Sequence, residues 1–449
     1  MPSHVFTEQN SASCSTATTY SAAPVPSLST LVCYPSSNLL HDQERLAQYR
    51  PGGYHPVCLG DTFKEGRYRV AHKLGWGGFS TVWLARDNLL AQWVALKIAT
   101  ADSTSESREL STLQSLQRDG ASDYIPHLLD SFTHRGPNGV HQCLVSELLG
   151  PSVDTVVTDY HTVGDRLEPE IILRISRQLL QALASVHEAG YGHGGEIYSS
   201  ALERAASADT FILEDVSGAN IVFTARNLAH LSEERLFNVI GAPQSSMLAR
   251  VDGGPLCPSF PKQLVKRVAW EDWIDEDEED IRLLDWGEAF LHGAEPAKLA
   301  QPGDLRAPEV IFTGRFDHRI DLWRAGCTVC TTPVVWSTRC SDVSLPRQIY
   351  SLVFAARPFQ YLGNEAVLVA QMINFVEELP AEWQTTWQAI QDSSRRSFPT
   401  EEATEFKLDC RFRMMVDEPE LMPLRPIIQR LTRFLPLKRI SAAEALTLL

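Results

Sequence analysis

The sequence has 449 residues, enough for one large domain or for two lobes with an additional tail. Hydrophobic residues make up 44% of the chain and charged residues 21%, which is ordinary for a soluble globular protein. The 56 acidic and 40 basic residues give a net charge of −16, which argues against nucleic acid as a partner and leaves basic substrates open. No apolar run reaches membrane-spanning length and the N-terminus lacks a secretory pattern, so neither a membrane partner nor secretion is predicted.

The nine cysteines are scattered along the chain, and none has the paired spacing of a zinc site. The simplest interpretation is that they are reduced thiols, which are typical of proteins in the cytoplasm or the nucleus.

The predicted elements divide the chain into a tail and two parts. Residues 1–50 are rich in Ser, Thr, Ala and Pro and predict a disordered tail, with order beginning near Tyr54. Apolar and β-branched runs predict strands at Tyr68–Leu74, Thr81–Ala85, Trp93–Ala99, His141–Leu148 and Ile281–Leu284. Apolar residues at helical spacing predict helices at Ser107–Leu116, Glu170–Glu188 and Ser441–Leu449. A strand-rich first part and a helix-rich second part indicate an α+β fold with two lobes, residues 51–147 and 148–449.

A glycine-rich run lies between the first two predicted strands. It reads Gly75-Trp-Gly-Gly-Phe-Ser-Thr-Val82, and glycines there let backbone N–H groups approach a phosphate closely. Lys97 follows within an apolar strand, where an unpaired ammonium would be costly to bury, and Glu109 on the next helix is a candidate partner. The alternative interpretations are an ordinary hairpin and a purely structural Lys–Glu pair.

Further motifs follow in an order that resembles a protein kinase. They are Asp215-Val-Ser-Gly-Ala-Asn220, Asp285-Trp-Gly287, Ala307-Pro-Glu309, Asp321-Leu-Trp-Arg-Ala-Gly326 and Arg439. In that resemblance they correspond to the catalytic loop, the metal-binding triplet, the end of the activation segment, the central helix of the large lobe, and the arginine that pairs with Glu309. One such motif could occur by chance, whereas the whole set in this order predicts a two-lobed protein kinase fold.

Three other segments resemble the SR-protein kinase group. They are Gly52-Gly-Tyr-His-Pro56, the residues Leu74–Trp83 around the glycine-rich run, and the acidic stretch Trp273–Asp280. The resemblance implies a serine/threonine kinase that phosphorylates serines in Arg/Ser-rich protein segments, as in the regulation of mRNA splicing. The acidic cluster at 271–280 either steers a basic peptide by charge or is simply a solvated loop.

The resemblance also implies ATP and Mg²⁺ as cofactors, together with a role for each matching residue. Lys97 would hold the α/β-phosphates, Glu109 would orient Lys97, and Asp215 would accept the proton of the substrate hydroxyl. Asn220 and Asp285 would bind the metal. The remaining nucleotide-binding residues implied by the family are Gly75, Gly77, Gly78, Val82 and Glu147. A monomer is expected, with a protein substrate as its partner.

Three departures from the family pattern leave other functions open. Without residues 195–214, which are discussed below, the order is His193-Gly194-Asp215, so that Gly194 stands where the family has an arginine before the catalytic aspartate. No Ser, Thr or Tyr lies between Asp285 and Glu309. Together these predict a kinase that needs no phosphorylation of its activation loop. Ser217 replaces the usual lysine, which weakens transition-state stabilisation, and no Thr lies in the substrate-facing part of the activation segment, Leu299–Arg306. These departures leave a pseudokinase or binding module as an alternative. The same order, His193-Gly194-Asp215 followed by Asn220, is also typical of small-molecule phosphotransferases.

Two 20-residue inserts interrupt these motifs, one at Gly195–Glu214 and one at Val329–Gln348. Removing the first restores an uninterrupted catalytic loop, and removing the second restores a continuous apolar helix. Each insert equals 60 nucleotides, and its ends are compatible with GT and AG splice sites, which predicts unspliced introns of a fungal type. The alternative is two genuine loop insertions, which surface loops tolerate but a buried helix containing Pro333 and Pro346 does not.

Overall fold

The structure, a computed structural model, describes residues 30–34, 38–40, 43–104, 108–118, 123–162, 167–194, 220–270, 273, 276–299, 305–328, 358–359, 361, 363–373, 375, 377–394 and 406–449. The predicted inserts Gly195–Glu214 and Val329–Gln348 lie outside the described residues, and so do Asp215 and Ser217. No helix among the described residues is long and apolar enough to cross a membrane.

Strands and helices occur in both parts of the chain. The strands are β1 (Leu31–Tyr34), β2 (Thr62–Phe63), β3 (Tyr68–Gly77), β4 (Ser80–Asp87), β5 (Gln92–Ala99), β6 (Leu128–Gly136), β7 (Gly139–Glu147), β8 (Leu149–Ser152), β9 (Tyr191–Gly192), β10 (Ile221–Thr224), β11 (Ser245–Arg250), β12 (Gln263–Val265), β13 (Ile281–Leu283) and β14 (Phe290–Leu291). The helices are α1 (Glu109–Arg118), α2 (Val153–Thr162), α3 (Pro169–Glu188), α4 (Glu233–Ile240), α5 (Pro308–Thr313), α6 (Ile320–Thr328), α7 (Glu365–Ile373), α8 (Gln384–Ser393), α9 (Lys407–Met415), α10 (Leu424–Leu431) and α11 (Ala442–Leu446).

A six-stranded antiparallel sheet forms the small lobe, in the order β2-β3-β4-β5-β7-β6. Alternate residues of its central strands point into one core, and they are all buried: Tyr68, Val70, Trp83, Val94 and Leu96. Helix α1 follows β5. The four strands predicted in this lobe and the helix predicted at Ser107–Leu116 are confirmed in type, with ends that differ by a few residues.

Helix α3 is the centre of the large lobe. The five residues that share its predicted apolar face are fully buried: Ile172, Ile175, Leu179, Leu183 and Val186. Pro169 occupies its first turn, where backbone N–H groups have no partner within the helix, so the missing N–H of proline costs no hydrogen bond. Helices α6 and α11 pack against α3, as does β13 of the small sheet β13-β10-β8, and the predicted two-lobed α+β architecture is confirmed.

The N-terminal segment differs from the prediction of a disordered tail up to residue 50. Strand β1 pairs antiparallel with β11, which in turn pairs with β12. Leu31, Leu46 and Tyr49 are buried in a separate small core that also contains Leu248 and Leu264. The prediction was wrong for these residues because the strand is four residues long and its partner lies more than 200 residues further along the chain.

Candidate active site

The glycine-rich run forms the hairpin between β3 and β4. Gly77 is paired with Ser80, so Gly78 and Phe79 make a two-residue turn, and Phe79 is 68% exposed. A Cβ atom added at Gly75, Gly77 or Gly78 would meet no heavy atom within 4 Å. The hairpin therefore presents backbone to open space, as a loop that approaches a phosphate requires.

Lys97 lies beneath this hairpin, directly opposite Val82 in the ladder between β4 and β5. Its Nζ atom is 2.6 and 2.7 Å from the two carboxylate oxygens of Glu109, and 3.9 Å from Oδ1 of Asp285. Burial lowers the pKa of the Lys97 ammonium, but the carboxylates of Glu109 and Asp285 outweigh burial and raise that pKa above its ordinary value. The structure thus brings three of the predicted site residues together, with the carboxylates of Glu109 and Asp285 on either side of the Lys97 ammonium.

Asp285 immediately follows strand β13 and has a left-handed backbone conformation, with a φ of 64°. Trp286, the residue that replaces the family's usual phenylalanine, is fully buried, and its indole N–H donates to the carbonyl of Leu283 at 2.9 Å. The Trp286 ring packs edge-on against His193, with 4.6 Å between ring centroids. This packing holds the backbone in place while the Asp285 side chain stays 46% exposed toward the cleft.

Leu284 is hydrogen-bonded to both ends of the segment that contains the predicted catalytic aspartate. Its N–H donates to the carbonyl of Asn220 at 2.6 Å, and its carbonyl accepts from Nε2 of His193 at 2.8 Å. His193 and Asn220 therefore flank the same residue beside Asp285, although 26 residues separate them in the sequence. Asp215, the predicted catalytic aspartate, lies in the intervening part of the chain, outside the described residues.

Asp321 at the start of α6 fixes the first of these two ends, a role that the sequence reading missed. It is fully buried and accepts hydrogen bonds from the backbone N–H groups of His193 at 2.7 Å and Gly194 at 3.1 Å. Burial alone would raise the pKa of the Asp321 carboxyl, but its hydrogen bond with His187 and the neighbouring positive charges lower it to about 2. The available signal was an aspartate inside an apolar helix, which has to find buried donors.

Asn220 and Asp285 are the two predicted metal ligands, an amide and a carboxylate. Oxygen donors suit Mg²⁺, which proteins hold through one or two carboxylates together with substrate phosphates. Among the described residues there is no group of three or more His, Cys, Asp or Glu arranged to hold a metal. A site of this kind fits a metal that arrives with a nucleotide better than it fits a permanently bound ion.

Glu147, predicted to contact the nucleotide, uses its carboxylate inside the protein. The carboxylate accepts from Nε of Arg282 at 2.9 Å and from the backbone N–H of His127 at 3.0 Å. The backbone N–H of Glu147 also donates to the carbonyl of His127 at 3.2 Å, and the nucleotide-binding role of Glu147 stays a prediction.

The pair between Glu309 and Arg439 forms as the motifs predict. Its two hydrogen bonds measure 2.7 and 2.6 Å, and both side chains are buried. In the acidic stretch before β13, Asp277 and Glu278 are exposed, which leaves both interpretations of the stretch open, whereas two other carboxylates are bound inside the fold. Glu279 is buried and bound by Thr224 and the N–H of Arg226, and Asp280 is bound by Gln178 and Arg226, so these two carboxylates stabilise the fold.

Comparisons with known proteins agree with this geometry. The chain is 40% identical over 156 residues to the serine/threonine-protein kinase SKY1 of Saccharomyces cerevisiae, a match that covers 32% of the chain and 21% of that protein. It is 41% identical over 160 residues to the protein kinase dsk1 of Schizosaccharomyces pombe, covering 34% and 29%. The serine/threonine-protein kinase SRPK of Physarum polycephalum is 29% identical over 298 residues, covering 64% of the chain and 65% of that protein. No protein-family model matches the chain.

The match to a solved structure concerns the fold. A crystal structure described as a kinase domain superposes with a TM-score of 0.54 at 17% identity, covering 88% of the chain and 97% of that structure. The chain has the two-lobed fold of a protein kinase. Its homologues are serine/threonine kinases of the SRPK family. The matched segments span less than two thirds of the length of these relatives.

Proposed function

We propose that this protein is a serine/threonine protein kinase that uses ATP and Mg²⁺. The observation that carries the proposal is Lys97, held at 2.6 Å from Glu109 and 3.9 Å from Asp285, beneath a glycine hairpin whose backbone faces open space. Phosphoryl transfer needs little covalent chemistry from the protein, so positioning and charge neutralisation provide most of the rate enhancement. The residues present fit a nucleotide and a hard cation.

Each residue has one task in this proposal. The glycine hairpin and Lys97 bind the phosphates, and Glu109 keeps the Lys97 ammonium aimed into the cleft. Asn220 and Asp285 hold the metal, which when bound supplies neutralisation of the phosphate charge. Asp215 orients the substrate hydroxyl and accepts its proton at the carboxylate. Glu147 contributes backbone contacts at the rear of the cleft.

Serines in Arg/Ser-rich protein segments are the proposed substrates. Support comes from the net charge of −16, which attracts basic peptides, and from a human relative named SRSF protein kinase 3, 39% identical over 153 residues. We further propose a monomer located in the cytoplasm, the nucleus or both, without nucleic-acid or membrane partners.

Independence from activation-loop phosphorylation is also proposed, and the backbone at Gly194 supports it. Gly194 has a φ of +62°, and a Cβ atom there would lie 2.6 Å from the carbonyl oxygen of Glu288. An arginine at this position, which in the family meets an activation-loop phosphate, would therefore require the backbone to move. Arg324 of α6 is buried instead beneath the loop and donates from Nη1 to the carbonyl of Gly194 at 2.9 Å.

The two inserts are proposed to be unspliced intron sequence of a fungal gene, so that the working protein has 409 residues, the 449-residue sequence without two blocks of 20. The hydrogen bonds of His193 and Asn220 to the same Leu284 support this for the first insert. The five residues Asp215–Ala219 are enough to join Gly194 to Asn220. Sequencing the transcript across codons 194–215 and 328–349 tests the idea, and message that retains both blocks would contradict it.

The decisive experiment is phosphorylation of an Arg/Ser-repeat peptide by the 409-residue protein, with Asp215→Ala as the control. Incorporation of phosphate into serine that is lost in Asp215→Ala supports the kinase. ATP binding without peptide labelling supports the alternative of a pseudokinase, which Ser217 favours because a transition-state cation is missing there. ATP turnover without peptide labelling would indicate a small-molecule phosphotransferase instead.

A further inference from the structure

Strand β1 of the N-terminal segment and strands β11 and β12 form a small subdomain beside the small lobe, called the annex below. Strand β1 pairs with β11, and β11 with β12, in a three-stranded sheet of its own. Tyr49, Tyr54 and Phe260 pack together in its core, with ring centroids 5.6 and 6.2 Å apart. The annex is continuous with strand β3, because the N–H of Val268 donates to the carbonyl of Lys73 at 2.9 Å.

An ion pair buried in this contact joins the annex to β3 two residues before the glycine-rich run. Lys73 and Glu44 are 1% and 2% exposed, and the Lys73 ammonium donates to the Glu44 carboxylate, which also accepts from the Tyr49 hydroxyl. The ammonium lies 5.0 Å from the ring centroid of Trp83 and 5.3 Å from that of Trp76, which belongs to the run itself. A buried charge pair of this kind tolerates little displacement, because separating the charges would leave each one desolvated and uncompensated.

A second link reaches the hairpin itself. The Tyr54 hydroxyl donates to the carbonyl of Gly77 at 2.7 Å, next to the turn at Gly78 and Phe79. Tyr54 is 3% exposed, and its own carbonyl accepts from Nδ2 of the buried Asn138 at 2.6 Å. The hydroxyl is therefore presented to Gly77 by a residue that is itself fixed to the turn between β6 and β7.

We infer that Tyr54 and Glu44 are positioning residues for the nucleotide. Tyr54 acts through its hydrogen bond to Gly77 and Glu44 through its ion pair with Lys73, and together they fix the position of the glycine hairpin relative to Lys97. An added Cβ atom at Gly75, Gly77 or Gly78 would meet no heavy atom within 4 Å, so side-chain packing does not restrict the hairpin, and ordering its glycines on nucleotide binding is unfavourable. Anchoring the Gly77 carbonyl removes part of that freedom in advance. The inference rests on the proposed function, because it specifies which residues outside the glycine-rich run, Lys97 and the metal-binding residues prepare the same nucleotide site.

The test compares Tyr54→Phe with Tyr34→Phe in the 409-residue protein. Tyr54→Phe removes the hydroxyl and keeps the buried ring, whereas Tyr34 is 60% exposed at the end of β1 and serves as the matched control. Affinity is measured with a fluorescent ADP analogue, and amide hydrogen exchange is followed at residues 75–80. We expect Tyr54→Phe to weaken nucleotide binding by about three- to tenfold and raise the KM for ATP equally, with the peptide KM unchanged and the melting temperature lowered by a few degrees. Exchange should increase in the hairpin of this variant alone.

The possible outcomes separate this inference from the proposed kinase function. Wild-type protein that binds no nucleotide would contradict the kinase itself. Wild-type binding that Tyr54→Phe leaves unchanged, or that Tyr34→Phe weakens equally, would overturn the positioning role. If Tyr54→Phe folds poorly, the triple variant Glu44→Leu/Tyr49→Phe/Lys73→Met provides the second test, since replacing all the partners of a buried polar group by apolar ones preserves folding more readily than removing one of them. That variant should also show faster exchange at residues 75–80, and unchanged exchange would count against the inference.

Discussion

Two pairs of a glutamate with a cation, one in each lobe, show how the same chemistry serves different ends. Glu109 with Lys97 and Glu309 with Arg439 both have a shortest contact of 2.6 Å. The Arg439 guanidinium is fully enclosed and also donates to the carbonyls of Arg319, Arg433 and Phe434. Lys97 is 26% exposed and has a second carboxylate, Asp285, at 3.9 Å. A cation whose donors are all used inside the protein stabilises the fold, whereas one that faces a cleft can still bind another anion.

The strongest test of this comparison is to break the enclosed pair. Arg439→Met should lower the free energy of unfolding by about 3–5 kcal/mol, because it leaves the Glu309 carboxylate buried without its partner. Urea denaturation measures the effect. The double variant Glu309→Leu/Arg439→Met is the control and should recover much of the loss. If the single variant loses less than about 1 kcal/mol, the enclosed pair contributes no more than a surface pair.

Breaking the open pair should affect activity more than stability. Lys97→Met is expected to reduce peptide phosphorylation by about 100-fold or more, since it removes a cation aimed at the transferring phosphates. The free energy of unfolding should change by less than about 2 kcal/mol, because Lys97 is partly exposed. Lys64→Met is the matched control: Lys64 contacts Asp130 at 2.6 Å on the outside of the same lobe, so activity should persist. Equal losses of activity in both variants would contradict the distinction.

His55 provides a third case, because it is a titratable side chain that is buried without an oppositely charged partner, unlike the two ion pairs. His55 is buried against His134 and His141, and desolvation together with these imidazoles lowers its pKa to about 3. Because the folded-state pKa lies below the unfolded value of about 6.5, His55 contributes stability above pH 6.5 that is lost as the pH falls toward 3. The free energy of unfolding should therefore decrease on acidification from pH 7 to 5, by up to about 1.4 kcal/mol per pH unit from this residue.

The variant His55→Gln tests that expectation, because glutamine cannot take up a proton. Its denaturation curves at pH 7, 6 and 5 should show a shallower pH dependence than those of the unchanged protein. His230→Gln, at an exposed histidine, is the control and should keep the original slope. Identical slopes in all three proteins would show that the small lobe tolerates a charge at this position.

The sequence was sufficient for the parts of the site in which each residue has a fixed place in a motif. Lys97, Glu109, Asp285, Glu309 and Arg439 form the expected contacts because strand, turn and helix signals lie close to each of them. The annex was not predictable in this way. Its strand β1 has four residues, and its pairing with β11 depends on a contact between distant parts of the chain. Local propensity carries no information about such a contact.

The smallest expected effect concerns an ion pair on the surface of the N-terminal segment. Arg50 contacts Asp102 at 3.2 Å, with side chains 41% and 63% exposed. Water screens such a pair, so Asp102→Asn should change the free energy of unfolding by less than about 1 kcal/mol, and less still at high salt. Nucleotide affinity should remain unchanged, in contrast to Tyr54→Phe. A loss of nucleotide binding in Asp102→Asn would mean that the whole segment, rather than the buried contacts to Lys73 and Gly77, holds the glycine hairpin in place.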